Sequence, residues 1–532
     1  MLKALRSLVT HKNSLLGATL LLVGTTLASN FLGLLRDRFF AQKIPTDLLD
    51  TYFAAFRIPD LIFNLLILGS ITAAFIPVFL EYRKKSEAEA WRITQSIFTI
   101  SIIVLIILAL LLGIAMPWLI PLIVPKFSPE KQRLTLELTR LLLIQPIFFG
   151  LSYLFSGILN ALKRFFVYAL APLVYTSVII LATVLFADQF GVYAPVWGVV
   201  IGSFLHMFIQ FLAACRVGFV PALNFSLAHP AVRKIVRLMI PRSIGLGALQ
   251  LMLIAFTAIA SSLGSGSVAV YNLADNIQTM PTAVFGLAFI TALYPTLSES
   301  TTQLAKRRFS QLLTDGIRYL FVILVPAGIG LILLRAQTVR LILGTGFFGW
   351  EATIATADTL GLFALGLIFH ALTILLSRAF YALHNTRTPT LLMVMGYSCA
   401  IVSGYFLTRP EGLNLGVPGL ALAFVLGNLL SSLLLYCKLR AQTPILKEYE
   451  GDFLVLFGQL AAAILALIVS VQFTKEGLAS VVDMDRFWGV LAQTLGAILA
   501  GSISYSLVLS WFGVTEIQKV PKFIWTRLNG GR

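Results

Sequence analysis

The stretch Ser29–Tyr82, SNFLGLLRDRFFAQKIPTDLLDTYFAAFRIPDLIFNLLILGSITAAFIPVFLEY, decides how the rest of the chain is read. It holds two apolar segments long enough to cross a ~30 Å hydrocarbon core, and both carry ions that a lipid-facing helix does not tolerate. Arg36, Asp37 and Arg38 close the first segment. Asp50, Arg57, Asp60 and Asn64 follow along the second at steps of seven, three and four residues, which places them on one face of a helix. A charge at membrane depth is costly unless it is paired or lines a wet cavity, so such faces mark substrate or ion paths. This face is therefore expected to line the central cavity of a transporter. Arg36 and Asp37 are neighbours and point about 100° apart on a helix, so one is expected in the cavity and the other against a neighbouring helix. Pro59, with Gly69 and Pro77 further on, is expected to break or bend the second span.

Working outward, the 532 residues are 58% hydrophobic and only 12% charged, with a mean hydropathy of +0.90. A soluble domain carries about twice that charged fraction. The pattern is that of an all-α polytopic membrane protein. The net charge of +17 would suggest nucleic acid in a soluble chain. Here it falls in short loops, where Lys and Arg set orientation, and no nucleic-acid partner is expected. Cys215, Cys399 and Cys437 lie in apolar segments and imply no disulfide framework.

Spans are expected near residues 14–40, 51–80, 91–116, 134–161, 166–187, 193–215, 235–262, 267–298, 312–335, 354–383, 388–408, 415–437, 453–474 and 486–511, fourteen transmembrane helices in all. Alternate loops are basic, from the N-terminus through Arg83-Lys84-Lys85 and Lys306-Arg307-Arg308 to the tail after Lys519, so both termini are expected in the cytoplasm. The chain also repeats itself. Ala74–Glu81 returns as Ala292–Glu299, Ser156–Leu162 as Ser377–Leu383, and Cys215-Arg216 as Cys437-Lys438, in chain order at nearly one offset. Residues 1–220 are thus expected to form an N-lobe of six spans and 221–445 a C-lobe of six more. The two lobes would be parallel repeats about an axis along the membrane normal. Residues 446–532 hold two extra spans and a basic tail. The linkers EYRKKSEAEAWR and ESTTQLAKRRFS are expected as short amphipathic surface helices.

The second lobe offers its own polar face ahead of Pro281, formed by Asn272, Asp275, Asn276 and Thr279. Arg242 follows Pro241 in the seventh span, and Arg378 lies within the tenth. Mixed charges of this kind suit an amphiphile with an anionic head, since Arg offers bidentate hydrogen bonds to phosphate. Enzyme chemistry is not expected. No Gly-rich phosphate loop ends in Lys-Ser/Thr, the five His residues are scattered, and no Cys/His set has metal-ligand spacing. Neither a metal nor another cofactor is called for.

The run Gly33–Asp37, then Asp50–Pro59, then Ala74–Pro77 resembles the N-terminal signature of the MurJ (MviN) lipid II flippase family, part of the multidrug/oligosaccharidyl-lipid/polysaccharide exporter superfamily. The resemblance continues through Asn160, Arg164-Phe165, Ala171-Pro172, Ala274-Asp275, Pro295–Ser298 and Thr386–Pro389, to about residue 440. The last two spans match only in number and position. It implies two six-helix lobes, with the extra pair forming a groove for a polyprenyl tail. It also implies that the undecaprenyl-pyrophosphate-linked disaccharide-pentapeptide moves from the inner to the outer leaflet by alternating access. Arg36, Asp37, Asp50 and Arg57 match family positions that line or gate the cavity, and Asp275 matches another. The implied partners are the lipid-linked precursor, membrane lipids and cell-wall synthesis proteins, with the chain a monomer in the bacterial cytoplasmic (inner) membrane. The sequence departs from the family where many members have a basic residue and this chain has Asn30, Phe63 and Asn276. It departs again at Leu68 and Thr279, near which members have an acid. Members that hold sodium use acids on the seventh, eleventh and twelfth spans, and those spans here have none. Two other readings stay open: a flippase for another polyprenyl-diphosphate oligosaccharide, and a drug/cation antiporter of the same superfamily, which needs cavity acids more than arginines.

Overall fold

The structure, a computed structural model, describes residues 15–68, 71–226, 229–299, 305–449 and 451–514. Among these every regular element is helical. In chain order they are α1 (Leu15–Lys43), α2 (Thr46–Ala55), α3 (Arg57–Ile62), a π-turn (Phe63–Leu68), α4 (Ile71–Lys85), α5 (Glu87–Ile123), α6 (Pro129–Leu142), α7 (Gln145–Ala161), α8 (Phe165–Phe190), α9 (Tyr193–Arg216) and α10 (Pro230–Ala260). There follow α11 (Ser267–Pro281), a second π-turn (Thr282–Leu287), α12 (Ala288–Glu299), α13 (Ala305–Leu333), α14 (Arg335–Leu343), α15 (Trp350–Ala364), α16 (Leu367–Ala382), α17 (Arg387–Thr408) and α18 (Val417–Gln442). A 3₁₀ turn (Pro444–Tyr449), α19 (Gly451–Ala479) and α20 (Phe487–Trp511) complete the chain. Contacts group residues 1–269 into one compact unit and 270–532 into another.

By length and composition ten helices among the described residues are suited to cross a membrane, or eleven with the α15–α16 pair, which bends by 45°. The other three expected spans are occupied by α1, by the broken run α2–α4 and by α10. Over their described residues these do not meet the same measure, so the count of fourteen is not reached on that ground. The exposed side chains of α5, among them Leu110, Leu111, Ile114 and Leu122, form a large apolar surface. On a soluble protein such a surface would drive association; on a spanning helix it meets lipid.

The helix ends follow from local chemistry. Ser86 starts α5 by accepting a hydrogen bond from the Glu89 amide at 3.3 Å, the Ser-x-x-Glu arrangement of a capping box. The linker around Ser86 is helical, as expected, but it is no separate surface helix: α4 runs to Lys85 and α5 begins at Glu87 and continues into its span. Its counterpart falls partly on residues 300–304, outside the described residues. Pro59 lacks the N–H that would bond Ala55, and α2 and α3 part at Phe56. Pro77 lies inside α4, and Gly69 lies outside the described residues.

The duplication seen in the sequence extends to backbone detail. The π-turns Phe63–Leu68 and Thr282–Leu287 lie 219 residues apart. Helices α7 and α16 both end on a non-glycine residue in the left-handed region, Lys163 (φ 58°) and His384 (φ 59°). In both, the next amide returns to the residue five earlier, Arg164 to Leu159 at 2.8 Å and Asn385 to Phe380 at 2.9 Å, which satisfies a carbonyl the helix end would leave bare.

In the first unit Phe75, Phe79, Phe155 and Phe219 pack at the centre of one cluster. In the second, Phe309, Leu313 and Phe380 belong to one cluster, and a separate one joins α13 to α19 and α20 through Leu460, Ala463 and Tyr505. Lipid supplies little hydrophobic drive between helices, so close packing and polar locks do more here than area burial. Ser152 Oγ lies 2.8 Å from His206 Nδ1 and accepts from Gln210 Nε2 at 2.8 Å, a fully buried link between α7 and α9. Helices α17 and α18 cross at Gly396 and Gly427; a Cβ on Gly396 would meet the Gly427 carbonyl at 2.6 Å.

Candidate functional site

Arg36, Asp37, Asp50 and Arg57 in the first unit have protein partners, and these differ from one residue to the next. Arg36 and Asp37 pair with each other, Nη2 to Oδ1 at 2.7 Å and Nε to the same oxygen at 2.9 Å. The long Arg36 side chain folds back over its neighbour, and its guanidinium also lies 5.5 Å from the Phe40 ring. Phe40 meets Tyr52 edge-on at 5.0 Å, so the pair is walled by aromatics, and Asp37 is fully buried.

The helix that carries the polar residues of the second span is segmented. The break at Phe56 separates Asp50 from Arg57, and the π-turn begins one residue before Asn64. Asp50 is wholly buried and accepts from the amides of Gly266 at 2.7 Å and Ala269 at 2.9 Å. These are orphan donors at the N-terminus of α11, where the helix dipole favours an anion. Lys131 Nζ sits 3.1 Å from Asp50 and 2.5 Å from Asp47, and Ser265 Oγ also donates to Asp47. Burial pushes the Asp47 carboxyl up, but the hydrogen bonds from Lys131 and Ser265 and the Lys131 charge outweigh it and leave the group below its usual range.

Arg57 is buried and donates from Nε to Thr257 Oγ1 on α10 at 2.6 Å. Asn64 donates to the Asp60 carbonyl at 2.9 Å, four residues back on its own helix, and both side chains are half-buried. Arg242 lies on α10, but its side chain is outside the described ones.

In the second unit Asp275 and Asn276 are half-buried on α11, and Asp275 Oδ1 accepts from Gln278 at 2.8 Å. Arg378 on α16 is half-buried, donates to Thr291 Oγ1 at 3.1 Å, and places its guanidinium 5.7 Å from the Tyr294 ring. Both partners lie on α12, just beyond the second π-turn.

Sequence reading missed Lys131, Thr257 and the amides of Gly266 and Ala269. Backbone donors leave no mark in a side-chain pattern. Lys131 does leave one: it is a basic residue in a loop of the basic-poor set, so it calls for an acidic partner.

An all-helical membrane fold, duplicated in sequence and backbone and holding buried ions at broken helices, defines a polytopic transporter. The family model for the lipid II flippase MurJ matches residues 45–484, and the chain belongs to that family. It is 29% identical over 464 residues to the lipid II flippase MurJ of Burkholderia cenocepacia, covering 85% of this chain and 89% of the relative. It is 27% identical over 517 residues to the probable lipid II flippase MurJ of Bdellovibrio bacteriovorus, covering 95% of each. A solved MurJ in an inward closed conformation superposes with a TM-score of 0.75 at 23% identity, over 93% of this chain and 99% of that one. A multidrug resistance MATE family transporter of the MOP superfamily, in an inward-facing conformation, superposes with a TM-score of 0.66 at 17% identity, over 79% of this chain and 96% of that one. These two likenesses are of fold.

Proposed function

We propose that this chain is a lipid II flippase that carries the undecaprenyl-pyrophosphate-linked peptidoglycan precursor from the inner to the outer leaflet of the bacterial cytoplasmic membrane by alternating access. The observation that carries the reading is the family match over residues 45–484, which includes every ionic site residue except Arg36 and Asp37. No covalent step is required of the protein. The substrate arrives and leaves intact, and the chain supplies a polar path for a headgroup that lipid would reject.

In this reading Arg57, Asp60, Asn64, Asp275, Asn276, Arg242 and Arg378 line the path, with arginines meeting the pyrophosphate. The aromatic-walled pair Arg36–Asp37 joins them. Asp50 differs: with both oxygens engaged by amides, it serves as a latch that is released and remade as access alternates. Both termini are cytoplasmic, residues 1–220 and 221–445 are the two repeats, and the chain works as a monomer with cell-wall synthesis proteins nearby.

The test is complementation with a leaflet readout. The chain is expressed in bacteria depleted of their own lipid II flippase, and precursor at the outer leaflet is scored by a toxin that cleaves lipid II only from the periplasm. Cleavage and rescued growth are expected. A well-inserted chain that gives neither, with host partners supplied, would overturn the substrate assignment.

A further inference from the structure

The second unit contains a cavity of about 310 Å³ whose lining includes none of the residues proposed above for the path. That volume is at the lower end of the ~300–1,000 Å³ of small-molecule sites. The short helix α14, the start of α15 and the beginning of α20 wall it, with Arg335 and Arg340 as its cations and Trp350, Ile354, Met484 and Val490 among its apolar walls. Helix α14 follows directly on α13 and is tied to α20 by a hydrogen bond from Gln337 to Gln493 at 3.2 Å. The cavity therefore lies where helices end and loops begin. Trp350 and Trp488 at the same end are 69% and 74% exposed, as expected for aromatic side chains at a membrane–water boundary.

Its charges are incompletely matched. Arg335 Nε faces the Asp358 carboxylate at a loose 3.5 Å, and its Nη1 donates to the Ile332 carbonyl at 3.1 Å. Arg340 reaches only the Asp485 carbonyl, also at 3.5 Å, the outer limit of a hydrogen bond, and has no carboxylate partner among the described residues. Two guanidinium groups and one carboxylate thus share an interfacial cavity whose walls are otherwise largely apolar. Such a site offers charge-assisted, forked donors to a phosphate and apolar surface to whatever carries it.

We propose that this cavity binds the phosphate headgroup of an anionic phospholipid of the surrounding leaflet. Arg340 holds the phosphate, Arg335 turns toward it from Asp358, and the first acyl carbons rest on Ile354 and Met484. A lipid held here would brace α14 against α20, fixing the last two helices to the unit.

The full chain in nonionic detergent is titrated with phosphatidylglycerol, phosphatidylcholine and inorganic phosphate, and bound lipid is read by native mass spectrometry. Phosphatidylglycerol is expected to be retained in preference to phosphatidylcholine. Arg340→Gln should weaken it about tenfold, the loss of one charge-assisted hydrogen bond at a partly solvated site, and Arg340→Lys should restore most of the loss. Met484→Glu, which adds an acid to the wall without touching an arginine, should weaken binding by a similar factor and covers the case of an unfolded Arg340 variant. Wild-type retention by Arg340→Gln or Met484→Glu, equal retention of phosphatidylcholine, or full competition by inorganic phosphate at the lipid's own concentration would each overturn the proposal.

Discussion

Replacing Lys131 by methionine tests whether the Asp50 cluster is held by charge. Asp50 has no exposed surface and Lys131 is 17% exposed, with 3.1 Å between Nζ and Oδ2. At that distance two unit charges attract by about 5 kcal/mol at an effective dielectric near 20. Desolvation of both groups offsets much of this, which leaves a coupling of about 1–3 kcal/mol. Lys131→Met leaves a buried carboxylate with its two amide donors and no cation, and should cost about 2–3 kcal/mol. Asp50→Asn removes the charge and keeps one acceptor for the α11 amides, and should cost about 1–2 kcal/mol. In the Asp50→Asn background, Lys131→Met should then cost less, because Lys131 there keeps only the half-exposed Asp47 and the Phe127 ring 4.3 Å away. The four proteins of the cycle are unfolded in mixed micelles and followed by tryptophan fluorescence. Additivity within about 0.5 kcal/mol would refute the reasoning and leave Asp50 held by the helix terminus alone.

Four further outcomes follow from the geometry. Arg57→Ala should abolish transport in the toxin assay while expression and insertion stay normal. Thr257→Val, which removes only the 2.6 Å acceptor, should reduce transport several-fold, matching a hydrogen bond of about 1 kcal/mol; normal flipping by Arg57→Ala would remove Arg57 from the path. Asp47 has a lowered pKa, so its stabilising contribution is present above the usual carboxylate value of ~3.9 and fades as pH falls through its lower folded value. Asp47→Asn should therefore cost the same in stability at pH 7 and pH 5 and less near pH 3, and a cost that vanished already at pH 5 would contradict the Lys131 and Ser265 contacts. Lys163→Gly should raise stability by about 1 kcal/mol, since a side chain at φ 58° carries that order of strain; no gain in the unfolding midpoint would mean that Lys163 makes a compensating contact.

The class of the molecule is readable because it rests on features that recur along the chain: apolar runs of spanning length and basic residues in alternate loops. Pro59 likewise announced a break. The interruptions of the second span are less legible than its charges, for a physical reason. A 3.6-residue period holds only while the helix is continuous, and here it stops at Phe56 and again at the π-turn from Phe63. The Arg36–Asp37 contact is not legible from helix position either, since a Cβ direction says little about where a long, flexible guanidinium ends. Asp50 stands out by its charge, but besides Lys131 its partners are two amides that become donors only because α11 begins at Ser267. No reading of side chains alone could pair them.

The two π-turns give the polar faces a second meaning. A break in a membrane helix frees backbone carbonyls, and lipid cannot satisfy them, so such breaks persist only where protein or water does. In the first unit Asn64 donates to the Asp60 carbonyl at 2.9 Å at the edge of the turn that starts at Phe63. In the second, Thr279 donates to the Asp275 carbonyl at 2.8 Å just before the turn that starts at Thr282. The same device thus precedes or opens each break: a short polar side chain takes the carbonyl of an acidic residue four positions earlier. Asn64 and Thr279 therefore spend hydrogen bonds on the helix itself, Asp60 three residues and Asp275 seven residues ahead of a π-turn. Polar residues at these positions serve the bend as well as the path, and a substitution there acts on both.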